Sequence, residues 1–260
     1  MLLKLMEKLM DGYFAIIPRL KPQSENINGA LMIAHRGAHN NAKGIIENTL
    51  DAFQIAKDAG VWGIELDVQV TKDKVFVINH DPTLNRLWNK DVVIADLNFN
   101  ELRALEPRIP SLAEVVSEYG GNMHLFIELK TAVENEEMLV QILQNLTPCK
   151  DYHLLSLHEL TFRKLSHFPK QSLLLVAVHN NVKEFCKLSV RENYGGVLGN
   201  YLLLTDKVIN YLQEANQHFG VGFVDSRNSL YRELSRGIKW IFTNQAVKIS
   251  QYLHDLKNRT

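Results

Sequence analysis

Four clusters of ionisable side chains in this 260-residue sequence could carry out chemistry together. The C-terminal ends of parallel strands meet at one end of a barrel, which is where barrel enzymes build their active sites. Each cluster lies at or near the C-terminal end of a predicted strand, and the clusters are His35-Arg36, Glu65-x-Asp67, His80-Asp81 and Glu128-x-Lys130. We therefore expect these side chains to surround one site.

The acidic side chains predict a metal site. Glu65 and Asp67 lie within the apolar segment GIELDVQV and, being two residues apart, point to the same face of a strand. Buried carboxylates are costly without a counter-charge. A hard divalent cation bound by oxygens, with Glu128 as a third ligand, would supply that charge. The alternative is that Arg36 and Lys130 pair with these acids in a structural network.

The two histidines and the basic side chains point to phosphoryl chemistry. The metal and Arg36 would hold nonbridging phosphate oxygens, since a guanidinium matches phosphate geometry. Of His35 and His80, one would take a proton from the nucleophile and the other would protonate the leaving oxygen. An imidazole titrates near neutral pH, so both roles are accessible to it.

Short apolar segments alternate with helical patterns along the chain, which indicates βαβ units. Most segments are continuously apolar, as is typical of parallel strands covered by helices on both faces. The nine strand candidates are 31–35, 63–70, 74–79, 123–129, 152–157, 172–178, 195–199, 220–224 and 240–243. Helical patterns occur at 48–59, 111–119, 134–145, 158–167, 205–217 and 227–236.

The second and third strand candidates are separated by only a few residues around Lys72-Asp73. A parallel crossover needs a dozen or more residues, so these strands must form an antiparallel hairpin. Without the returning arm, eight strands remain, which is the count of a (β/α)8 barrel. The expected fold is therefore α/β: a TIM barrel with an N-terminal helix and an antiparallel hairpin at 63–79.

The turn of this hairpin decides where His80 points. A two-residue turn pairs His80 with Glu65, and the same turn one residue later pairs it with Asp67. In both registers the three side chains share a face, because side chains alternate with period 2. A three-residue loop would break this relation.

Composition excludes several classes of function. Lys plus Arg number 29 and Asp plus Glu also number 29, so the chain lacks the basic excess of a nucleic-acid binder. Cys149 and Cys186 show no metal-ligand spacing and suggest free thiols in a reducing compartment, so a cytoplasmic protein is expected. No segment reads as a signal peptide or reaches the roughly 18–20 apolar residues of a membrane span.

The N-terminal segment is predicted to be a separate element. Residues 1–25 form an amphipathic helix and lead-in, and residues 26–260 form a single barrel domain. One helical face carries apolar side chains at Leu2, Leu5, Met6, Leu9 and Tyr13. This helix either lies against the domain or makes weak contact with a membrane surface.

The segment HRGAHN…IENTLDAFQIAKDAGVWGIELDVQVTKDKVFVINHDPTLNR resembles the signature of the glycerophosphodiester phosphodiesterase family. IPSLAEVV and FIELK match the next two landmarks, and the resemblance covers residues 32–131. The ordered set HRG, ENT, ExD, HD and ExK is very specific. The family fold is a TIM barrel. The roles implied by this resemblance are His35 and His80 as the acid/base pair, Glu65, Asp67 and Glu128 as ligands of Mg²⁺ or Ca²⁺, and Arg36 and Lys130 as phosphate contacts.

The sequence departs from the family pattern in three places. The Pro-Glu-Asn-Thr of the family reads IENT here, and Asn48 or Thr49 is expected to cap the following helix. The segment 81–110 is short and lacks the usual Gly-rich turn and aromatic excursion, which predicts a more open site. Near the C-terminus, the usual Asp is replaced by Asn244, and the usual Trp by a residue within 221–223.

The expected function is metal-dependent hydrolysis of a glycerophosphodiester to sn-glycerol 3-phosphate and an alcohol. The resemblance implies a route in which the 2-hydroxyl of the substrate attacks phosphorus and water opens the cyclic product. One alternative is the same chemistry on a lysophospholipid. The other is a non-catalytic barrel that binds phosphodiesters or a partner.

Overall fold

The computed structural model describes residues 2–16 and 21–259. Its strands are β1 (Leu31–His35), β2 (Gly63–Val70), β3 (Phe76–Ile78), β4 (His124–Leu129), β5 (Tyr152–Ser156), β6 (Leu173–Ala177), β7 (Gly196–Asn200), β8 (His218–Gly222) and β9 (Trp240–Thr243). Its helices are α1 (Leu2–Ile16), α2 (Ser24–Gly29), α3 (Leu50–Asp58), α4 (Asn85–Trp88), α5 (Phe99–Leu105), α6 (Leu112–Tyr119), α7 (Glu136–Leu143), α8 (Val182–Glu192), α9 (Asp206–Glu214), α10 (Arg227–Ser235) and α11 (Ala246–Lys257). All nine strand candidates are confirmed, with ends that differ by two residues at most.

Eight strands close into a parallel barrel, as the strand count predicts. Their order is β1, β2, β4, β5, β6, β7, β8 and β9, and β9 pairs again with β1. The strands are apolar on both faces because one face fills the barrel and the other packs under the helices. Ile33, Phe126 and Leu174 belong to the inner cluster, and Ile64, Leu125 and Leu154 belong to the outer one.

The hairpin is present, but its register differs from both expected registers. Val68 pairs with Ile78, so the loop has three residues, 72–74. Lys74 in that loop adopts a left-handed backbone with φ 69°. The predicted pairing of His80 with a β2 carboxylate is therefore wrong. His80 still faces the barrel mouth because β3 ends at Ile78 and the chain turns after it.

Local sequence signals explain where several helices begin. The Ser111 hydroxyl accepts the N–H of Glu114, and the Glu114 carboxylate accepts the N–H of Ser111, which is a capping box at the start of α6. The helical prediction at 158–167 is only partly right, because this segment is a short 3₁₀ helix, Glu159–Lys164. Thr161 and Phe162 at its centre are poor helix formers, which favours the tighter, shorter form.

Helix α1 lies against the barrel. Of the predicted apolar face, Met6, Leu9 and Tyr13 are exposed, and the side chains of Leu2 and Leu5 lie outside the described residues. Phe14 is buried, and the Glu7 and Asp11 carboxylates accept hydrogen bonds from Asn200 and Ser226. The opposite side leaves four apolar side chains solvent-exposed, namely Met6 (46%), Leu9 (65%), Tyr13 (52%) and Ile16 (80%). Within the described residues, no helix has the length and apolar character needed to cross a membrane.

Candidate active site

A cavity of about 670 Å³ opens at the C-terminal end of the barrel. Its charged side is formed around the ends of β1, β2 and β4 and by the chain after β3, and its other side by the ends of β5 to β8. Six of the seven predicted site residues line it: His35, Arg36, Glu65, His80, Glu128 and Lys130. The seventh, Asp67, is fully buried and contacts the side chains of Arg36 and Lys130.

The chain leaves β1 through a strained turn. Arg36 has φ 58°, an unfavourable conformation for a residue with a Cβ. Its N–H donates to the backbone oxygen of Glu65 at 2.9 Å and to Glu65 Oε2 at 3.1 Å. Gly37 has φ 78°, and a Cβ there would lie 2.8 Å from the backbone carbon of Ala52. Only glycine therefore lets this turn approach α3 so closely.

Each residue of the IENT motif after isoleucine holds a different part of the site. The Thr49 hydroxyl accepts the N–H of the third residue of α3 and caps that helix. Asn48 instead holds Asp67: its Nδ2 donates to Asp67 Oδ2 at 2.8 Å, and its Oδ1 accepts the Asp67 N–H at 3.2 Å. The Glu47 carboxylate accepts a hydrogen bond from Arg36 Nη1 at 2.9 Å. The cap therefore survives without the family's proline.

Three buried carboxylates form an oxygen cluster below the cavity. One oxygen each from Glu65, Asp67 and Glu128 lies within 4.8 Å of the other two. Two ligands of one Ca²⁺, each at about 2.4 Å, are at most about 4.8 Å apart, so this spacing suits a shared divalent cation. Among the residues that the structure describes, Glu65 Oε1 has no hydrogen-bond donor. A buried oxygen without a donor, beside two further carboxylates, is a donor set that fits a hard cation.

The basic residues also reach these acids, so the ion-pair network considered as an alternative is present. Lys130 Nζ lies 2.6 Å from Asp67 Oδ1 and 2.5 Å from Glu128 Oε1, and Arg36 Nε lies 3.1 Å from Asp67 Oδ2. Two cationic groups nevertheless face three carboxylates. Burial and then the charges of Asp67 and Glu128 raise the pKa of Glu65 well above its usual range. Against the effect of burial, Lys130 and Arg36 lower the pKa of Asp67. Glu65 is thus the least compensated carboxylate, and a divalent cation would compensate it.

His35 is held in one tautomer by a relay from the ends of the next two strands of the barrel, β9 and β8. Its Nδ1 lies 2.8 Å from Asn244 Oδ1, and Asn244 Nδ2 donates to Asp225 Oδ2 at 2.9 Å. A carboxylate can only accept, so Asp225 fixes the amide with its oxygen toward His35. His35 Nδ1 therefore carries the hydrogen, and Nε2 is left as an acceptor, 3.7 Å from Glu65 Oε2. Burial and then the charge of Arg36 lower the pKa of His35 to about 4, so the ring is neutral at pH 7.

His80 is held by a charged partner instead of a neutral one. Its Nδ1 donates to Asp81 Oδ1 at 2.7 Å, and Asp81 Oδ2 accepts from Arg86 Nε at 2.5 Å. Arg86 Nη2 also donates to Glu47 Oε1 at 2.8 Å, the same oxygen that accepts from Arg36. Burial lowers the pKa of His80, but Asp67 and Asp81 oppose this effect. A chain of hydrogen bonds thus joins the His80 ring to the Arg36 guanidinium.

The structure brings all seven predicted residues together and adds four that the sequence analysis gave no role: Glu47, Arg86, Asp225 and Asn244. Asp81 belonged to a predicted cluster, and the structure shows it behind the His80 ring. Glu47 and Asn244 belonged to recognised motifs, which was a usable signal. Arg86 ends the recognised segment HDPTLNR, but its bond to Glu47, 39 residues away, could not be read from the sequence. Asp225 carried no signal, because its partner Asn244 lies 19 residues away.

The chain was then compared with known proteins. The model of the glycerophosphoryl diester phosphodiesterase family matches residues 35–172, which is more than half of the chain. A glycerophosphodiester phosphodiesterase of Caldanaerobacter subterraneus is 38% identical over 115 residues, which cover 40% of this chain and 46% of that protein. One of Bacillus altitudinis is 26% identical over 246 residues, covering 85% of this chain and 98% of that protein. The chain spans about half the length of the first of these relatives.

A solved structure shares the fold. The Oleispira antarctica phosphodiesterase, in complex with its product sn-glycerol-3-phosphate, matches with a TM-score of 0.71 and 21% identity. The match covers 86% of this chain and 96% of that one. At this identity the likeness establishes the barrel fold, and the match to the family model adds the ordered motifs at its mouth. The chain belongs to the glycerophosphoryl diester phosphodiesterase family.

Proposed function

We propose that this chain is a divalent-metal-dependent phosphodiesterase that hydrolyses glycerophosphodiesters to sn-glycerol 3-phosphate and an alcohol. One observation carries the proposal: two histidines present Nε2 to a cavity that is also lined by two cationic side chains and by two carboxylates of the three-carboxylate cluster. The family membership and the named relatives support the same reaction. A non-catalytic barrel would have no use for two histidines whose unbonded Nε2 atoms face an open cavity.

Metal and phosphate would be held by different residues. Glu65, Asp67 and Glu128 would hold Mg²⁺ or Ca²⁺, which when bound supplies positive charge for the nonbridging phosphate oxygens. Arg36 and Lys130 would contact the same phosphate. Arg36 is suited to this because Glu47 accepts from Nη1 and fixes the plane of the guanidinium.

The two histidines would divide the proton transfers between them. His35 is neutral and backed by an uncharged amide, so its Nε2 suits the base that takes the proton of the attacking hydroxyl. His80 is backed by the Asp81 carboxylate, which stabilises an imidazolium, so it suits the acid that protonates the leaving oxygen. The attacking group in this proposal is the 2-hydroxyl of the glycerol, and water then opens the cyclic phosphate with the roles reversed.

Two features of the chain other than the catalytic residues bear on its cellular location. Cys149 and Cys186 are both free thiols, which supports a reducing, cytoplasmic environment. The exposed apolar stripe of α1, formed by Met6, Leu9, Tyr13 and Ile16, supports weak contact with a membrane surface. Cosedimentation with phosphatidylcholine vesicles tests that contact, and a chain that stays in the supernatant contradicts it.

The experiment for the reaction is release of sn-glycerol 3-phosphate from glycerophosphocholine, with EDTA, Mg²⁺ or Ca²⁺. We expect one of the cations to support activity and EDTA to abolish it. His35→Ala should lower kcat by about 10²- to 10⁴-fold, the usual contribution of a general base. His254→Ala, an exposed histidine of α11, is the matched control and should leave kcat unchanged.

Three results would contradict parts of the proposal. Full activity in EDTA would rule out the metal, and full activity of His35→Ala would rule out the assigned base. If neither cation supports hydrolysis of glycerophosphocholine or lysophosphatidylcholine, the reaction itself is wrong.

A further inference from the structure

The mouth cavity has a second side that the proposed reaction does not use. Opposite the charged residues it is lined by aliphatic and aromatic side chains from the ends of β5 to β8: Leu155, Leu157, Val176, Val178, Leu198 and Phe223. Asn200 interrupts this side, but its amide is turned toward Glu7 of α1. His179 also lies on this side, but among the described residues here there is no Asp, Glu, Lys or Arg.

Helix α1 extends the apolar side outward. Met6 lines the cavity and is 46% exposed, and Leu203 lies between it and the β7 end. The helix is fixed at this position by the Glu7–Asn200 hydrogen bond and by Phe14, whose ring packs against Tyr201 and the Arg232 guanidinium. The apolar side is therefore built from rigid strand ends and an anchored helix.

A water-soluble glycerophosphodiester would leave this side uncovered. Its phosphate, hydroxyls and alcohol are all polar, and the apolar side offers them no counter-charge. The two sides belong to one cavity, so whatever fills the apolar side can be attached to the phosphodiester bound at the other. A hydrocarbon chain is the group that gains most from such a surface.

We propose that this side binds the acyl chain of the substrate, so that the substrate is a monoacyl glycerophosphodiester, a lysophospholipid. The proposal rests on the proposed phosphodiesterase activity and specifies its substrate. A single chain is consistent with that reaction, because a chain on the first glycerol oxygen leaves the 2-hydroxyl free to attack phosphorus. The products are then a monoacyl glycerol phosphate and the free alcohol.

The test is choline release from substrates that differ only in the chain. Glycerophosphocholine is compared with its hexanoyl, octanoyl and decanoyl lysophosphatidylcholine counterparts, each below its critical micelle concentration. We expect kcat/KM to rise with chain length and to reach about tenfold or more above glycerophosphocholine, as burial of methylenes predicts. Val178 is a half-exposed residue just beyond β6. Val178→Asn should reduce severalfold the ratio of kcat/KM for the decanoyl substrate to kcat/KM for glycerophosphocholine.

Val247→Asn is the matched control, since Val247 is an exposed valine on α11, outside the cavity. It should leave the ratio of the two kcat/KM values unchanged. Hydrolysis of glycerophosphocholine at a rate that equals or exceeds that of every acyl homologue would overturn the acyl-chain site and leave the phosphodiesterase intact. A chain-length preference that Val178→Asn does not alter would also overturn it. Failure to release choline from any of the four substrates would remove both proposals.

Discussion

The two ends of the barrel both contain histidines whose pKa values are lowered, but they hold these histidines in opposite ways. At the mouth, His35 and His80 each give Nδ1 to a polar partner and turn Nε2 to the cavity. At the closed end, His124 and His153 bond to each other, with His124 Nε2 2.8 Å from His153 Nδ1. The mouth therefore leaves a lone pair available to a ligand, and the closed end uses its histidines for packing.

The closed end is an aromatic cluster, and no carboxylate in the described part of the chain is hydrogen-bonded to its histidines. Trp62 stacks on His124 with ring centroids 4.4 Å apart, and His218 stacks on Trp240 at 4.9 Å. His124 Nδ1 donates to the backbone oxygen of Lys150 at 3.0 Å, so its Nε2 accepts from His153. Burial lowers the pKa of His124 to about 4 and that of His153 to about 3.

A low histidine pKa thus does not identify a catalytic residue in this protein. Burial is the largest cause of the lowered pKa at both ends. His35 and His80 differ from the other pair because each has a polar partner on Nδ1 and open cavity volume beside Nε2. They also lie at the C-terminal ends of the strands, where barrel enzymes have their active sites. The closed end is expected to determine stability.

The largest expected effect separates the two ends by activity. His80→Asn should lower kcat by about 10³-fold, because the acid that protonates the leaving oxygen is gone. The free energy of unfolding should change by less than about 1 kcal/mol, since His80 is one-third exposed. Steady-state kinetics and urea unfolding of the same preparation measure both quantities.

His153→Phe, at the closed end, is the control for that variant. The kcat of the folded His153→Phe protein should stay within about twofold of the wild-type value. If His80→Asn instead unfolds the protein, or if His153→Phe abolishes catalysis, the assignment of catalysis to the mouth and of stability to the closed end is wrong.

The second prediction concerns acid stability and the closed end. In the unfolded chain a histidine titrates near 6.5, whereas His153 titrates at about 3 when folded. The unfolded state therefore binds more protons between these values, and stability present above pH 6.5 is lost as pH falls through this window. The loss is about 1.4 kcal/mol per pH unit for one uncoupled group. His153→Phe should flatten this dependence.

Urea unfolding at pH 7 and pH 5 tests the slope. At pH 7, His153→Phe should cost about 1 kcal/mol, because His124 Nε2 loses its donor. His254→Phe on the surface of α11 should keep the wild-type slope. An equally steep loss in His153→Phe would show that other groups determine acid stability.

The fold was predictable because its signals are local. Continuous apolar runs, a gap too short for a crossover and the count of eight remaining strands need no knowledge of contacts. The hairpin register was not predictable. It depends on a three-residue loop in which Lys74 is left-handed, and the sequence has no glycine or asparagine at that position to indicate such a conformation. The seven site residues were recoverable from ordered motifs, whereas the bonds of Arg86 to Glu47 and of Asn244 to Asp225 exist only once the barrel has closed.

The apolar side of the cavity was not predicted from the sequence, for a related reason. Leu157, Val176 and Leu198 lie in or just after runs that read as ordinary buried strands. Which of their side chains leave the core and line the cavity depends on where each strand ends relative to its neighbours. That offset is a property of the closed barrel and has no counterpart in hydrophobic pattern alone.

The smallest expected effect concerns the two histidines of the mouth: Nδ1 of His35 bonds to an amide, and Nδ1 of His80 bonds to a carboxylate. Exchanging the pair, Asp225→Asn together with Asn244→Asp, keeps an amide hydrogen bond between the two positions but puts the negative charge next to His35. The pKa of His35 should rise from about 4, because an adjacent carboxylate stabilises the imidazolium. A base must be deprotonated to act, so the acidic limb of the kcat/KM profile should move to higher pH by about one unit.

Asn244→Leu separates charge from orientation, since it removes the acceptor of His35 without adding charge. It should lower kcat by about tenfold through loss of the fixed tautomer, with no upward shift of the acidic limb. If both variants shift the limb equally, then burial rather than the neutral amide determines the proton affinity of His35. If neither variant affects the profile, His35 is not the group whose protonation limits the reaction at low pH. The relay from Asp225 would then be structural, as the histidine pair at the closed end is.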